Sequence, residues 1–185
     1  MHARTERQAR EVLAAIKDRM AECGLQLNES KTHVVYCRDD NRRGPWDGPI
    51  RFTFLGYTFR PRSVKARSGR LFVGFTPAVS DAAGKRMRAE IRRWRIHRRT
   101  TGTLNDLAEE INPVTRGWIN YYGRFHRSAL DRTLHGIDTY LVRWLMRKHK
   151  RFQYRPGRAY RFLLAVKRRQ PGLFAHWHAA ARTAG

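Results

Sequence analysis

At 185 residues, with 41% hydrophobic and 11% aromatic side chains, the chain can bury a core and lacks the composition of a disordered protein. Its 39 Lys and Arg against 15 Asp and Glu, a formal +24, repel one another in a compact fold and call for a polyanionic partner. No apolar run approaches the roughly 20 residues of a membrane span, and no secretory h-region opens the chain, so a cytoplasmic protein with no membrane partner is expected.

The charge is uneven. Residues 1–78 carry 15 basic and 8 acidic side chains, residues 79–185 carry 24 and 7, and after Asp138 no acidic side chain follows while 12 Lys and Arg do. Arginine interleaved with Trp, Tyr and Gly suits phosphate forks and base stacking better than a membrane surface, which needs a clean apolar stripe. Cys23 and Cys37 form no CxxC pair, which argues against zinc. Spacing alone leaves a disulfide open, although two cysteines at this charge fit a reducing cytosol.

In chain order, Thr5 and Gln8 predict a capping box, with Ala9, Val12, Leu13, Ile16 and Met20 on one helical face and Gly24 closing the helix. Asn28 to Thr32 reads as a turn and His33 to Cys37 as a strand. A polar loop from Arg38 to Pro49 contains Gly44-Pro45 and Gly48-Pro49. Phe52 to Phe59, interrupted by Gly56, and Leu71 to Phe75 read as hairpin strands, with Arg60 to Arg70 a basic loop between them. One helix and a few short strands bury little by themselves.

From Ser80 the period becomes helical. Ser80-Asp81 caps a helix with Met87, Ile91 and Trp94 inward and Lys85, Arg86, Arg88, Arg92, Arg93, Arg95, Arg98 and Arg99 on its other faces. Thr103 with Asp106 predicts a short helix ending near Ile111. Asn112-Pro113 then reads as an N-cap with proline in first position, starting a helix with Val114, Trp118, Tyr121 and Phe125 on one face. Ser128 with Asp131 opens a long helix with Leu130, Leu134, Ile137, Leu141 and Leu145 inward. Pro156-Gly157 breaks it, and Tyr160 to Lys167 forms a last helix.

Gly24-Leu25-Gln26-Leu27-Asn28-Glu29-Ser30-Lys31-Thr32, followed by Phe54-Leu55-Gly56-Tyr57, resembles the end of a reverse-transcriptase palm of the bacterial group II intron type. Ile111 to Phe125, with its R-G-W-x-N-Y-Y run from Arg116 to Tyr122, resembles the core of the group II intron maturase-specific domain. Leu141 to Lys148 is similar to its next helix. The resemblance implies an α+β chain in three parts. Residues 1–78 would be a palm remnant with a primer-grip-like hairpin, 79–111 thumb-like basic helices at the start of the maturase-specific region, and 112–185 an RNA-binding maturase domain.

The implied function is that of a truncated maturase that binds structured group II intron RNA and promotes its splicing. The alternatives are one part of a split RNA-directed DNA polymerase, with the missing N-terminal half as partner, or a non-functional remnant. The palm carboxylates that hold two divalent metals have no match here, so no independent polymerase activity is expected. Asp39-Asp40 follows the lysine turn in a Gly-Pro-rich loop and reads as a solvated pair. No cofactor is expected on this chain alone. Mg²⁺ would serve a complete polymerase site and the intron RNA.

Lys31 matches an accessory palm lysine and otherwise reads as a surface lysine. Phe54, Leu55, Gly56 and Tyr57 match the primer grip, where glycine admits a nucleic-acid backbone, with Phe54 and Tyr57 equally readable as core. Trp118, Tyr121 and Phe125 share a face and read as packing. Candidate RNA contacts are Arg116, Asn120, Arg124 and Arg127, with Tyr122 as an exposed stacking ring. To these are added Arg92, Arg93, Arg95, Arg98 and Arg99 on the thumb-like helix, and Arg143, Arg147, Lys148, Lys150 and Arg151. The eight histidines form no HExxH, and His176-x-His178 does not share a helical face, so no metal site is expected.

Overall fold

The computed structural model describes residues 2–41, 44–66 and 68–177. Helices and one three-stranded antiparallel sheet, ordered β1-β2-β3, make the chain α+β. It falls into two compact units. The first is Met1–Phe52 with Phe59–Phe75, and the second is Thr53–Thr58 with Thr76–Gly185.

In the first unit α1 spans Glu6–Glu22. Thr5 Oγ1 accepts from the Gln8 amide at 3.2 Å, but the Gln8 carboxamide accepts from the Arg4 amide rather than that of Thr5, so the box closes one residue early. At the other end Gly24 sits at φ +70°, and the Leu25 amide donates to Met20 O, a Schellman closure. No residue of α1 is buried. Its apolar face exists as read, but Ile16 remains 36% exposed.

The predicted strand at His33–Cys37 does not form. Its Tyr36 amide donates to Pro49 O at 3.0 Å, but no ladder with a neighbouring strand forms among the described residues, so the β-branched side chains alone do not make a strand. The basic loop expected over Arg60–Arg70 is mostly strand. β1 covers Phe52–Phe54, β2 Tyr57–Lys65 and β3 Leu71–Val79, so long strands leave a tight turn closed by the Ala66 amide on Arg70 O. Pairing with β3 overrides a local reading from arginine and proline. Phe52 stacks on Phe59 with ring centroids 4.7 Å apart.

The second unit is built on α4, Arg127–Lys148, whose Leu130, Leu134, Ile137, Leu141 and Leu145 are all at most 2% exposed. Thr133, Asp138 and Trp144 are buried on it too, so its inward stripe is wider than five leucines and isoleucines suggest. The helix starts at Arg127 after His126 with no side-chain cap, not through Ser128. α2, Asp81–Arg93, is capped by Ser80 Oγ on the Ala83 amide and buries Met87 and Ile91 as expected.

The third helix departs most from expectation. α3 runs unbroken from Leu104 to Tyr122, opened by the Thr103–Asp106 capping box, with Pro113 inside it. Asn112 is no N-cap. It is buried, its Nδ2 donates to Leu173 O at 2.9 Å, and its Oδ1 accepts from the Ala175 amide at 2.8 Å. Proline in a helix interior forfeits a backbone bond and costs about 3 kcal/mol in isolation. Here Leu107, Ala108, Ile111 and Thr115 bury the face beside it, and the Asn112 bolt fixes the same turn. Tertiary contacts override the breaker. α4 has ended before Pro156-Gly157, and α5, Pro156–Arg169, starts on that proline rather than at Tyr160, since the first helical position needs no amide donor.

Candidate nucleic-acid interface

α2 stops at Arg93, and Arg95 adopts a left-handed backbone (φ 49°, ψ 36°) that turns the chain into a 3-10 turn over Ile96–Arg98. Arg95, Arg98 and Arg99 therefore lie on a connector and not on the thumb-like helix. Two residues of α4 clasp it. Trp144 Nε1 donates to Arg99 O at 2.7 Å, and the Lys148 ammonium donates to the carbonyls of Thr100 and Gly102. Ile96, fully buried, anchors it from below.

This clasp brings candidates together from distant parts of the sequence. Burial first, and then the positive charges of Arg147, Arg98, Arg143 and Arg95, hold His97 below its ordinary imidazole range. The four guanidinium groups thus act on one imidazole, second to the larger effect of its burial. Arg95, Arg98, Arg143 and Arg147 are all exposed, and among the described residues none of the four is ion-paired.

Other candidates are engaged within the protein. Arg93 pairs with Glu90 at 2.9 Å, and Arg99 pairs with Glu110. Arg127 is half-buried beside Asp131 at 3.7 Å. Lys148 is committed to carbonyls and to the Trp144 ring. Arg92, Arg116, Asn120 and Arg124 are exposed on α2 and at the end of α3, and Lys150 and Arg151 are exposed after α4. Lys31 is exposed in the 3-10 turn Glu29–Lys31 of the first unit.

The aromatic assignments at the end of α3 hold only in part. Tyr121 and Phe125, read as packing, each meet the Tyr57 ring at 5.5 Å yet stay 46% and 52% exposed, whereas Tyr122, read as a free stacking ring, packs against the core. Trp118 is half-buried and stacks on Trp94 at 5.5 Å. The buried face of α3 sits over Leu107 and Ile111, which rotates the expected stripe.

At the β1–β2 turn Leu55 and Gly56 both have positive φ. A Cβ on Gly56 would come within 2.6 Å of Tyr122 Oη, so this glycine admits a tyrosine of the same unit. Tyr121 Oη donates to Leu55 O at 2.9 Å, and Tyr57 Oη donates to Tyr121 O. Tyr57 is core, its phenol raised by burial and by Tyr121 and Tyr122 against a lowering by Arg124. Phe54 and Leu55 stay 60% and 65% exposed.

The last carboxylate in the sequence has a role that its position alone did not disclose. Asp138, buried on α4, accepts from Trp177 Nε1 at 2.7 Å and lies 2.9 Å from His176 Nε2. Burial alone would raise its carboxyl, but the His176 and Trp177 bonds, with Lys167 nearby, bring it below the ordinary value. With the Asn112 bolt, this fastens residues 173–177 to α3 and α4. The lone signal was a carboxylate surviving in a leucine-rich helix face. His178 lies outside the described residues.

Asp39-Asp40 is not a solvated pair. Asp40 Oδ2 accepts from the Val73 amide at 2.8 Å, and its own amide donates to Val73 O, while Asp39 Oδ1 caps the Asn41 amide. These bonds make it a structural turn of the first unit. Among the described residues no three His, Cys, Asp or Glu side chains cluster as metal ligands, and no helix is long and apolar enough to cross a membrane.

Residues 84–163 match the family model described as group II intron, maturase-specific domain. The match begins in α2, passes through the 111–112 junction inside α3, and ends in α5. No curated protein and no solved structure matches the chain.

Proposed function

We propose that the chain binds folded group II intron RNA and favours its splicing-active conformation, a reading supported by the match of residues 84–163 to the group II intron maturase-specific domain model. The observation that carries this reading is the set of four exposed arginines, Arg95, Arg98, Arg143 and Arg147, that act together on His97 within the matched residues and have no ion-pair partner among the described residues. Guanidinium groups with no carboxylate partner are free to fork onto phosphates. The splicing chemistry belongs to the RNA. The protein need only prefer the active RNA fold over misfolded ones by a few kcal/mol to convert the population.

Mg²⁺ enters through the RNA, and no step on this chain requires it. The experiment is a splicing assay with precursor intron RNA at low Mg²⁺. The wild-type chain raises the spliced fraction, and the Arg98→Ala/Arg143→Ala/Arg147→Ala variant does not. Equal stimulation by the two proteins would remove the arginine cluster from the mechanism.

A second reading, that the first unit completes a reverse transcriptase whose catalytic carboxylates lie elsewhere, is favoured by its uncovered apolar residues. Leu25 is 54% exposed and Leu71 67%. On this reading the chain alone extends no primer, and adding the fingers and catalytic palm of such an enzyme restores extension. Templated extension by the chain alone would contradict this second reading.

A further inference from the structure

Between α4 and α5 the chain makes a turn that its sequence should resist. Gln153 (φ −53°, ψ 128°) and Tyr154 (φ 57°) occupy its two central positions, and the Arg155 amide closes it on Phe152 O at 2.9 Å. This is the type II pattern, whose second central residue needs positive φ and is ordinarily glycine or asparagine. A tyrosine there stores backbone strain, and such strain persists at sites where function holds it.

The ring gains nothing from the fold in return. Tyr154 is 86% exposed, more than any other exposed large hydrophobic side chain among the described residues. The turn beneath it is firm. Phe152 is buried against Phe162 at 5.2 Å and meets His149 edge-on at 5.9 Å. The ring is thus presented outward from an anchored base.

The surroundings are cationic. Arg151 lies over the rings of Phe152 and Phe162, at 4.6 and 5.1 Å. Lys150, Arg155 and Arg158 are exposed, and among the described residues no ion pair engages their side chains. No acidic side chain follows Asp138 to compete for them.

We infer that Tyr154 is a stacking platform for an unpaired base of an RNA loop or bulge, with Arg151, Arg155 and Arg158 holding the flanking phosphates. A flat ring beside guanidinium groups recognises single-stranded RNA, because a paired base offers no free face. The inference rests on the RNA-binding reading above and adds to it a preference for unpaired nucleotides at a named ring.

The test compares an RNA hairpin carrying 2-aminopurine in its loop with a fully paired duplex of equal length. Wild type binds the hairpin more tightly and quenches the fluorophore. Tyr154→Gly loses about tenfold on the hairpin, the scale of one base–aromatic stack, and loses the quenching, with duplex affinity and salt slope unchanged. It also melts no lower than wild type, because glycine takes positive φ freely, so unfolding does not explain the loss. Tyr154→Trp keeps both signals.

Arg155→Ala/Arg158→Ala weakens both RNAs and lowers the salt slope. If Tyr154→Gly leaves hairpin affinity and quenching intact while the arginine variant weakens both RNAs, the platform is overturned and the RNA surface stands. If wild type binds neither RNA, both fall.

Discussion

α1 and α4 are both long, amphipathic and rich in arginine, yet they do opposite things with those features. On α1 the arginines face carboxylates of the same helix. Arg10 meets Glu6 at 2.7 Å, Arg7 meets Glu11 at 3.5 Å and Arg19 meets Glu22 at 2.7 Å, while no residue is buried. On α4 the apolar face is sealed, and Arg143 and Arg147 have no carboxylate partner among the described residues. A count of basic residues ranks the two helices alike, but only the second offers uncompensated charge on a rigid support. Surface pairs like those of α1 add little stability, about 0–1 kcal/mol each, and they occupy the cations that phosphate would need.

The largest difference should appear in stability. Leu141→Ala in α4 empties a fully buried site and should cost about 2–5 kcal/mol. Leu13→Ala on α1 removes a half-buried side chain and should cost less than about 1 kcal/mol. Urea denaturation reads both, and similar losses would show that α1 is covered in solution.

Next comes RNA affinity. Arg98→Ala/Arg143→Ala/Arg147→Ala should weaken binding about a hundredfold at low salt and flatten the logarithmic salt dependence by about 2–3. Arg7→Ala/Arg10→Ala/Arg19→Ala removes as much charge and should change either quantity little. Equal effects from the two triples would reduce the interface to net charge.

A smaller loss is expected at the α3 bolt. Asn112→Ala leaves the Leu173 carbonyl and the Ala175 amide without their partner, at about 1–3 kcal/mol. Amide exchange should speed up first around residues 173–177. Uniform acceleration throughout the second unit would mean that the bolt serves the global fold.

The smallest effect is a titration. Burial and four arginines hold His97 below its ordinary imidazole value of 6.5, so its contribution to stability is present above 6.5. That contribution is lost as pH falls through the lowered value. Phosphate on those arginines cancels part of the field, so bound RNA should raise the His97 pKa toward its ordinary value in NMR. A His97 pKa unmoved by RNA would place the phosphates elsewhere.

The helical half was legible where periodicity met burial. Met87 and Ile91 on α2, and the leucines of α4, followed from spacing alone. The R-G-W-x-N-Y-Y run was legible as a resemblance to the maturase-specific domain, which the match over residues 84–163 supports. What escaped was set by partners distant in sequence. Asn112-Pro113 carries a strong local start signal, and only Leu173 and Ala175, about sixty residues on, explain why the helix continues. Tyr121 and Tyr122 are neighbours whose exposure exchanges with a modest rotation of α3, finer than a helical wheel resolves. Arg95 gave no sign that it would end a helix in a left-handed conformation. Its connector is held by Trp144 and Lys148, residues some fifty positions away.

The most direct test of an intron-specific surface is competition binding near physiological salt. A folded group II intron RNA is set against an unrelated structured RNA of equal length, with the complete chain as the protein. The arginine cluster and the match to the maturase-specific domain model together predict at least about tenfold preference for the intron, surviving where nonspecific contacts are screened. Equal affinity for the two RNAs would contradict it and leave only a basic RNA-binding surface.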